Sequence, residues 1–156
     1  MQTVQDVTYE DHVSVKTGLP PGIPIYIGKH EPENTIVSVL VYSVDGVRVF
    51  RDVQSSDISQ IRSGDGICWI QISGLRDIEQ INQIFTDAMV HPLIAEDIFN
   101  TKGRAKIEDF GDGFFIILDI ILPAGKELQS RKIDIITKQN LLISVSETGD
   151  PFDNIK

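Results

Sequence analysis

The chain has 156 residues, of which 41% are hydrophobic and 24% charged, enough for one domain with a substantial core. Its 14 basic and 23 acidic residues give a net charge of −9, which disfavours nucleic acid as a partner because phosphates would be repelled. The longest apolar run, residues 114–122, is broken by Asp119 and falls short of the roughly 20 residues that a transmembrane helix needs.

The first half of the chain predicts a short β-rich region with one small helix. Residues 1–17 show no sustained period, so we expect them to be poorly ordered, and residues 18–22 (GLPPG) predict a rigid turn. Ile58 and Ile61 indicate a short helix, and Asp45-Gly46 is typical of a hairpin turn. Apolar and β-branched segments predict strands at residues 23–27, 36–42, 47–50 and 67–72.

Two helices are expected next. Asp77 can cap the first, and Gln80 three positions later completes the pattern of a capping box. Apolar residues at helical spacing give this helix a core face: Ile78, Ile81, Ile84, Phe85 and Ala88. Pro92 suits the first turn of the second helix, where its missing N–H is not needed. Leu93, Ile94 and Ile98 are predicted to face the core.

The remainder of the chain is again β-rich. Strands are predicted at residues 106–110, 114–122, 133–137 and 141–145, with tight turns at 111–113 and 139–140. Asp150-Pro151 is typical of a helix start, and we expect a longer element to follow. The order of strands, helices and strands predicts an α/β fold in which helices pack on one mixed sheet.

Most residue types that carry chemistry are better explained structurally. The sequence contains no nucleotide-binding loop and no nucleophile elbow. His12, His30 and His91 lie in separate segments, so each is interpreted as a surface or capping residue rather than a zinc ligand. Cys68 lies within a predicted strand and is expected to be a buried, inert thiol. The two Gly-Asp-Gly triplets, 64–66 and 111–113, predict turns and lack the oxygen series of a calcium loop.

Glu96 and Asp97 are the exception. They come late in a short helix, where carboxylates oppose the negative end of the helix dipole unless a cation or partner offsets them. Mg²⁺ prefers oxygen ligands and often uses only one or two carboxylates. The pair is therefore either half of a magnesium site or a solvated acidic face.

Six segments, in order from about residue 17 onward, resemble blocks of one family. They are residues 18–22 (GLPPG), 69–75 (WIQISGL), 91–100 (HPLIAEDIFN), 104–108 (RAKIE), 114–116 (FFI) and 140–145 (NLLISV). Together they resemble the N-terminal cytoplasmic domain of the CorA family of magnesium/cobalt transport proteins. The sequence departs from the family pattern in two places: Arg131-Lys132 stand where a glutamate is frequent, and Gln71 stands where Asn or Asp is usual. We expect these departures to alter surface contacts and not the fold.

The resemblance implies an α/β/α sandwich with a central mixed parallel and antiparallel sheet flanked by helices. Residues 18–156 would form one cytoplasmic domain, ending before a stalk helix and two membrane helices that carry a Gly-Met-Asn signature. The family's full-length proteins are homopentamers in the cell (inner) membrane. The resemblance also implies a regulatory role and no enzymatic activity.

The implied ligand is Mg²⁺, with Co²⁺ as a second possibility, bound between neighbouring subunits. Asp97 is the leading ligand by this resemblance and Glu96 the second, and partner acids belong partly to the stalk helix. Loss of cytosolic Mg²⁺ would loosen the interfaces and favour an open channel. The isolated chain is expected to bind Mg²⁺ weakly and to be a monomer or a weak oligomer.

Three alternatives remain open at this point. A free-standing interaction module could keep this fold without transport, and a relative could move Zn²⁺ or Ni²⁺ instead. A metal-dependent hydrolase would need carboxylates or histidines converging from several strand ends, and the sequence shows no such cluster.

Overall fold

The computed structural model describes residues 18, 20–28, 31–62, 64, 66–124 and 127–152. They contain one seven-stranded sheet in the order β2-β1-β3-β7-β6-β5-β4. The strands are β1 (Ile36–Ser43), β2 (Gly46–Phe50), β3 (Ile67–Ser73), β4 (Lys106–Asp109), β5 (Gly113–Ala124), β6 (Glu127–Lys138) and β7 (Leu141–Ser146). The pairing of β3 with β7 is parallel, and every other pair of neighbouring strands in the described sheet is antiparallel. The predicted α/β class with a central mixed sheet is therefore confirmed.

Three helices are described: α1 (Ser55–Ile61), α2 (Ile78–Asp87) and α3 (Pro92–Phe99). Their apolar side chains share one core with alternate residues of the sheet. Val39, Ile70 and Ile143 lie side by side on β1, β3 and β7 and have no exposed surface. All three described helices therefore pack on the same face of the sheet.

The opposite face of the central strands carries a mixed set of side chains. Trp69 donates its indole N–H to Ser144 Oγ at 2.9 Å and packs edge-on against Phe152, with 5.1 Å between ring centroids. Gln71 is only 5% exposed, and its amide has no hydrogen-bond partner among the described residues. The prediction that Gln71 alters a surface contact is thus wrong, because β3 is central and covered on both faces.

All three predicted hairpins and all three predicted helices are present, and two local predictions are wrong. Residues 23–27 do not form a strand, and only Ile27 makes an isolated bridge to Asn100. Pro24 removes a backbone donor from this segment, which disfavours regular pairing. Leu93 is 50% exposed and does not face the core. The predicted N-terminal segment 1–17, His12, His30 and the continuation beyond residue 152 lie outside the described residues.

The buried side of α3 differs from the predicted one by a small rotation of the helix toward Ala95 and Phe99. Ile94 and Ile98 are buried as predicted, and Ala95 and Phe99 join them. These four residues form two i,i+4 pairs on the side of the helix that faces the sheet. Leu93 lies beside these pairs and is exposed to solvent.

Asp77 caps α2 as predicted, and its Oδ1 accepts the Gln80 N–H at 2.9 Å. The reciprocal half of the capping box is absent from the described contacts, because Gln80 Nε2 instead donates to the Val53 carbonyl and the Asp77 N–H donates to Thr35 Oγ1. Asp77 therefore caps the start of α2, and the side chain of Gln80 connects this helix to the loop before α1 by a hydrogen bond.

Candidate cation site at the end of the third helix

Local sequence fixes the start of α3. His91 precedes the helix, and its Nδ1 accepts the Leu93 N–H at 3.2 Å, which confirms the capping interpretation of this histidine. Pro92 occupies the first turn, where no backbone donor is required. The helix ends at Phe99, so Glu96 and Asp97 fall in its last turn.

The carboxylate of Glu96 faces the N-terminal turn of the chain. Gly22 donates its N–H to Glu96 Oε2 at 2.8 Å. Gly22 has a φ of +85°, and a Cβ on it would lie 2.9 Å from Pro92 Cβ, so the turn packs directly on the start of α3. The turn that ends at Gly22 and helix α3, which are separated by about seventy residues in sequence, thus contact each other.

The carboxylate of Asp97 faces β4. Lys106 Nζ lies 2.6 Å from Asp97 Oδ2 and 2.8 Å from Glu108 Oε1, and it also sits over the Phe115 ring at 5.4 Å. Burial would lower the pKa of Lys106, but the hydrogen bonds and charges of the two carboxylates outweigh burial and raise this pKa. The Asp97 side chain is 44% exposed, so solvent reaches a carboxylate that already holds a cationic group.

A buried ion pair lies beneath this surface. Lys132 Nζ is 3.2 Å from Asp134 Oδ1, and the two side chains are 7% and 6% exposed. The same ammonium donates to the carbonyls of Asp97 and Asn100, at 3.2 and 3.0 Å, and so caps the negative end of α3. Lys132 is therefore a buried capping residue, and the expectation that Arg131-Lys132 affects only surface contacts is wrong for Lys132.

Asp134 is the ionisable group in this region whose pKa is raised most. Burial raises the pKa of Asp134 to about 7, and the charge of Lys132 only partly offsets this effect. The negative charge of Asp97 raises this pKa further. Asp97 and Asp134 are therefore electrostatically coupled even though they lie on different elements.

The structure does not direct Glu96 and Asp97 at a common point. Adjacent residues of a helix diverge, and here one carboxylate reaches the N-terminal turn and the other reaches Lys106. Among the residues that the structure describes, no group of three or more His, Cys, Asp or Glu side chains could hold a metal ion. Of the two predicted ligands, Asp97 faces a cationic group, while one oxygen of Glu96 accepts a hydrogen bond from the turn.

Sequence reasoning did not identify Lys106, Lys132 or Asp134 as part of this region. The sequence did contain a sign of Lys132 and Asp134. In β6 they are spaced two residues apart and share one face of the strand with the apolar Ile136. Cys68 is buried as predicted, and burial raises the pKa of its thiol despite the nearby Arg62. In the triplet 111–113, the Gly111 N–H donates to Asp109 Oδ1 at 2.8 Å, as expected for a turn.

Comparison with known proteins agrees with these motifs. The sequence profile of the CorA-like Mg²⁺ transporter protein family matches residues 64–156. The cobalt/magnesium transport protein CorA of Thermotoga maritima is 31% identical over 150 residues, which cover 94% of this chain and 42% of that protein. This chain therefore belongs to the CorA family, and it spans less than half of the length of this relative.

Solved structures share the fold at low sequence identity. The complete CorA magnesium transporter of Methanocaldococcus jannaschii aligns with a TM-score of 0.52 at 14% identity, covering 73% of this chain and 32% of that one. The full-length CmaX protein aligns with a TM-score of 0.58 at 12% identity, covering 80% and 37%. Within the described residues, none of the helices has the length and apolar character needed to cross a membrane.

Proposed function

We propose that this chain is the cytoplasmic regulatory domain of a CorA-type Mg²⁺/Co²⁺ transport protein in the cell membrane. A divalent cation bound at Asp97, the leading ligand, bridges neighbouring subunits of a homopentamer and favours the closed channel. Glu96, whose Oε2 accepts the Gly22 N–H, is the second ligand at the same interface and not a partner of Asp97 at one point. Family membership and the similarity to a cobalt/magnesium transport protein support the transport role.

One observation carries the choice of Asp97: its partly exposed carboxylate, at the negative end of α3, already holds a cationic group at 2.6 Å. Such a position attracts cations, and its carboxylate oxygens are the ligand type that Mg²⁺ prefers. The chain's net charge of −9 means that facing copies repel one another. A divalent cation between them cancels part of this repulsion.

The regulatory step follows from differential affinity. If the closed arrangement brings Asp97 close to acids of a neighbouring subunit, the cation binds that arrangement more tightly than the open one. A fall in cytosolic Mg²⁺ empties the site and removes this preference, so the open state gains population. Transport of Mg²⁺ is then switched on when the ion is scarce.

The test is Mg²⁺ uptake by the full-length parent protein in vesicles, measured as a function of the Mg²⁺ concentration on the cytoplasmic side. We expect Asp97→Asn and Asp97→Lys to weaken or abolish inhibition by cytoplasmic Mg²⁺. The matched control is Asp87→Asn, which removes an exposed aspartate from the last turn of α2 and leaves α3 intact. Gating that responds to Mg²⁺ normally in both Asp97 variants would refute the assignment.

The sequence of the parent gene downstream of codon 156 decides between this function and a free-standing module. Two hydrophobic segments of roughly 20 residues with Gly-Met-Asn between them would support the transport protein. A stop codon or an unrelated soluble domain would favour the module. The uptake assay also shows whether Mg²⁺, Co²⁺ or another divalent ion is carried.

A further inference from the structure

We infer that Lys106 is a tethered competitor for the cation at Asp97 and sets both the affinity and the charge selectivity of that site. This inference rests on the proposed function, because it concerns the same carboxylate. Its basis is the position of Lys106 Nζ, which lies 2.6 Å from Asp97 Oδ2 and so occupies the place of a bound ion.

An ammonium and a divalent cation bound at the same carboxylate oxygen repel each other. Mg²⁺ binds carboxylate oxygens at about 2.0–2.1 Å in an octahedral shell, and it repels a positive charge a few ångströms away. Binding at Asp97 Oδ2 therefore favours displacement of Lys106 from its present position. Because both side chains are between a third and a half exposed, their ion pair is of the modest kind that solvent screens.

Glu108 gives Lys106 a second partner. Its Oε1 lies 2.8 Å from Lys106 Nζ, on the same strand and two residues away. When Asp97 is taken by a metal ion, the ammonium keeps this contact and does not become an unpaired charge. The exchange at Asp97 is therefore a short displacement of one flexible side chain, without rearrangement of α3 or β4.

The arrangement distinguishes cations by their charge. A monovalent ion such as K⁺ offers Asp97 no more charge than the ammonium that is already present, and it has no tether. A divalent ion brings twice the charge and can displace the lysine. Lys106 thus raises the concentration of Mg²⁺ needed for binding and protects the carboxylate from the K⁺ of the cytosol.

The test is an NMR titration of the ¹⁵N-labelled chain with MgCl₂, following the amides of Asp97 and Asn100. We expect Lys106→Met to lower the Kd for Mg²⁺ about fivefold, the change that follows from removing a modest ion pair. The matched control is Lys102→Met, which removes the same charge from the neighbouring exposed loop. Added KCl should weaken Mg²⁺ binding more in Lys106→Met than in the wild type.

An unchanged or higher Kd in Lys106→Met, or an equal decrease in Lys102→Met, would overturn the competitor role. Asp97→Asn separates this failure from that of the proposed function. If Asp97→Asn loses the saturable shift while Lys106→Met behaves like the wild type, the site stands and only the competitor role fails. If Asp97→Asn titrates like the wild type, the proposed site itself is wrong. Lys106→Gln serves as a second variant if the methionine disturbs the dispersed spectrum of the folded chain.

Discussion

At the scale of single residues, Asp134 is a buried carboxylate, and its pKa is raised far above its ordinary value. Its side chain is 6% exposed, and Lys132 at 3.2 Å is its ion-pair partner. Lys132 divides its donors between this pair and the last carbonyls of α3. The ammonium therefore only partly compensates the burial of the carboxylate, and the pKa of Asp134 rises to about 7.

This pKa predicts a specific dependence of stability on pH. The unfolded chain releases the Asp134 proton near pH 3.8, whereas the folded protein holds it until about pH 7. The folded state therefore binds more protons between these values, and the free energy of unfolding falls as pH rises through this window. We expect urea denaturation from roughly pH 5 to 8 to show this fall in the wild type relative to Asp134→Asn.

The control for this experiment is Asp119→Asn, which removes an exposed carboxylate from the neighbouring strand β5, opposite Lys132. The difference in unfolding free energy between wild type and Asp134→Asn should decrease with pH. If the free energies of unfolding of the wild type and of Asp134→Asn change with pH in parallel, the pKa of Asp134 is not raised.

At the scale of elements, α3 is stabilised at both ends by groups from other parts of the sequence. The turn at Gly22 covers its first residue, and Lys132 from β6 caps its last carbonyls. Glu96 links the turn to the last helical turn through the Gly22 N–H. The turn therefore contacts one of the two proposed ligands directly.

Gly22→Ala should destabilise the protein by about 2 kcal/mol, since alanine pays about 1 kcal/mol for a positive φ and also meets Pro92. Gly18→Ala is the matched control, because Gly18 has a φ of +93° but a Cβ on it has nothing within 4 Å. Urea denaturation of both variants separates the two contributions. Equal losses of stability would mean that the contact with Pro92 costs nothing.

The same helix shows what sequence could and could not predict. His91, Pro92 and the buried Ile94 and Ile98 follow from local rules of capping and spacing, and these predictions are confirmed. The exposure of Leu93 could not be predicted, because it depends on how α3 is rotated against the sheet. Lys106 and Lys132 were missed for a similar reason: their partners on α3 are 9 and 32–35 residues away and meet them only after the sheet has formed.

At the scale of the whole molecule, the chain carries one proposed carboxylate ligand that is open to solvent and already paired with a lysine. Mg²⁺ bound at this single carboxylate is held weakly unless a neighbouring subunit contributes further acidic ligands. Calorimetry of the isolated 156-residue chain should therefore show weak Mg²⁺ binding, and size-exclusion chromatography should show a monomer or weak oligomer. Tight binding of one ion per monomer would contradict the proposed interface site.

The order of strands has a consequence for how the protein is made. Strand β7 joins the antiparallel groups β2-β1-β3 and β6-β5-β4, yet it is the last strand of the described sheet to be synthesised. Cys68 pairs with Leu141, so β3 leaves the ribosome about seventy residues before its central neighbour does. During that interval one edge of β3 and the apolar faces of α1–α3 lack the strand that closes the core. A ribosome that pauses before β7 would prolong the exposure of this unpaired edge and apolar surface, and this exposure favours aggregation.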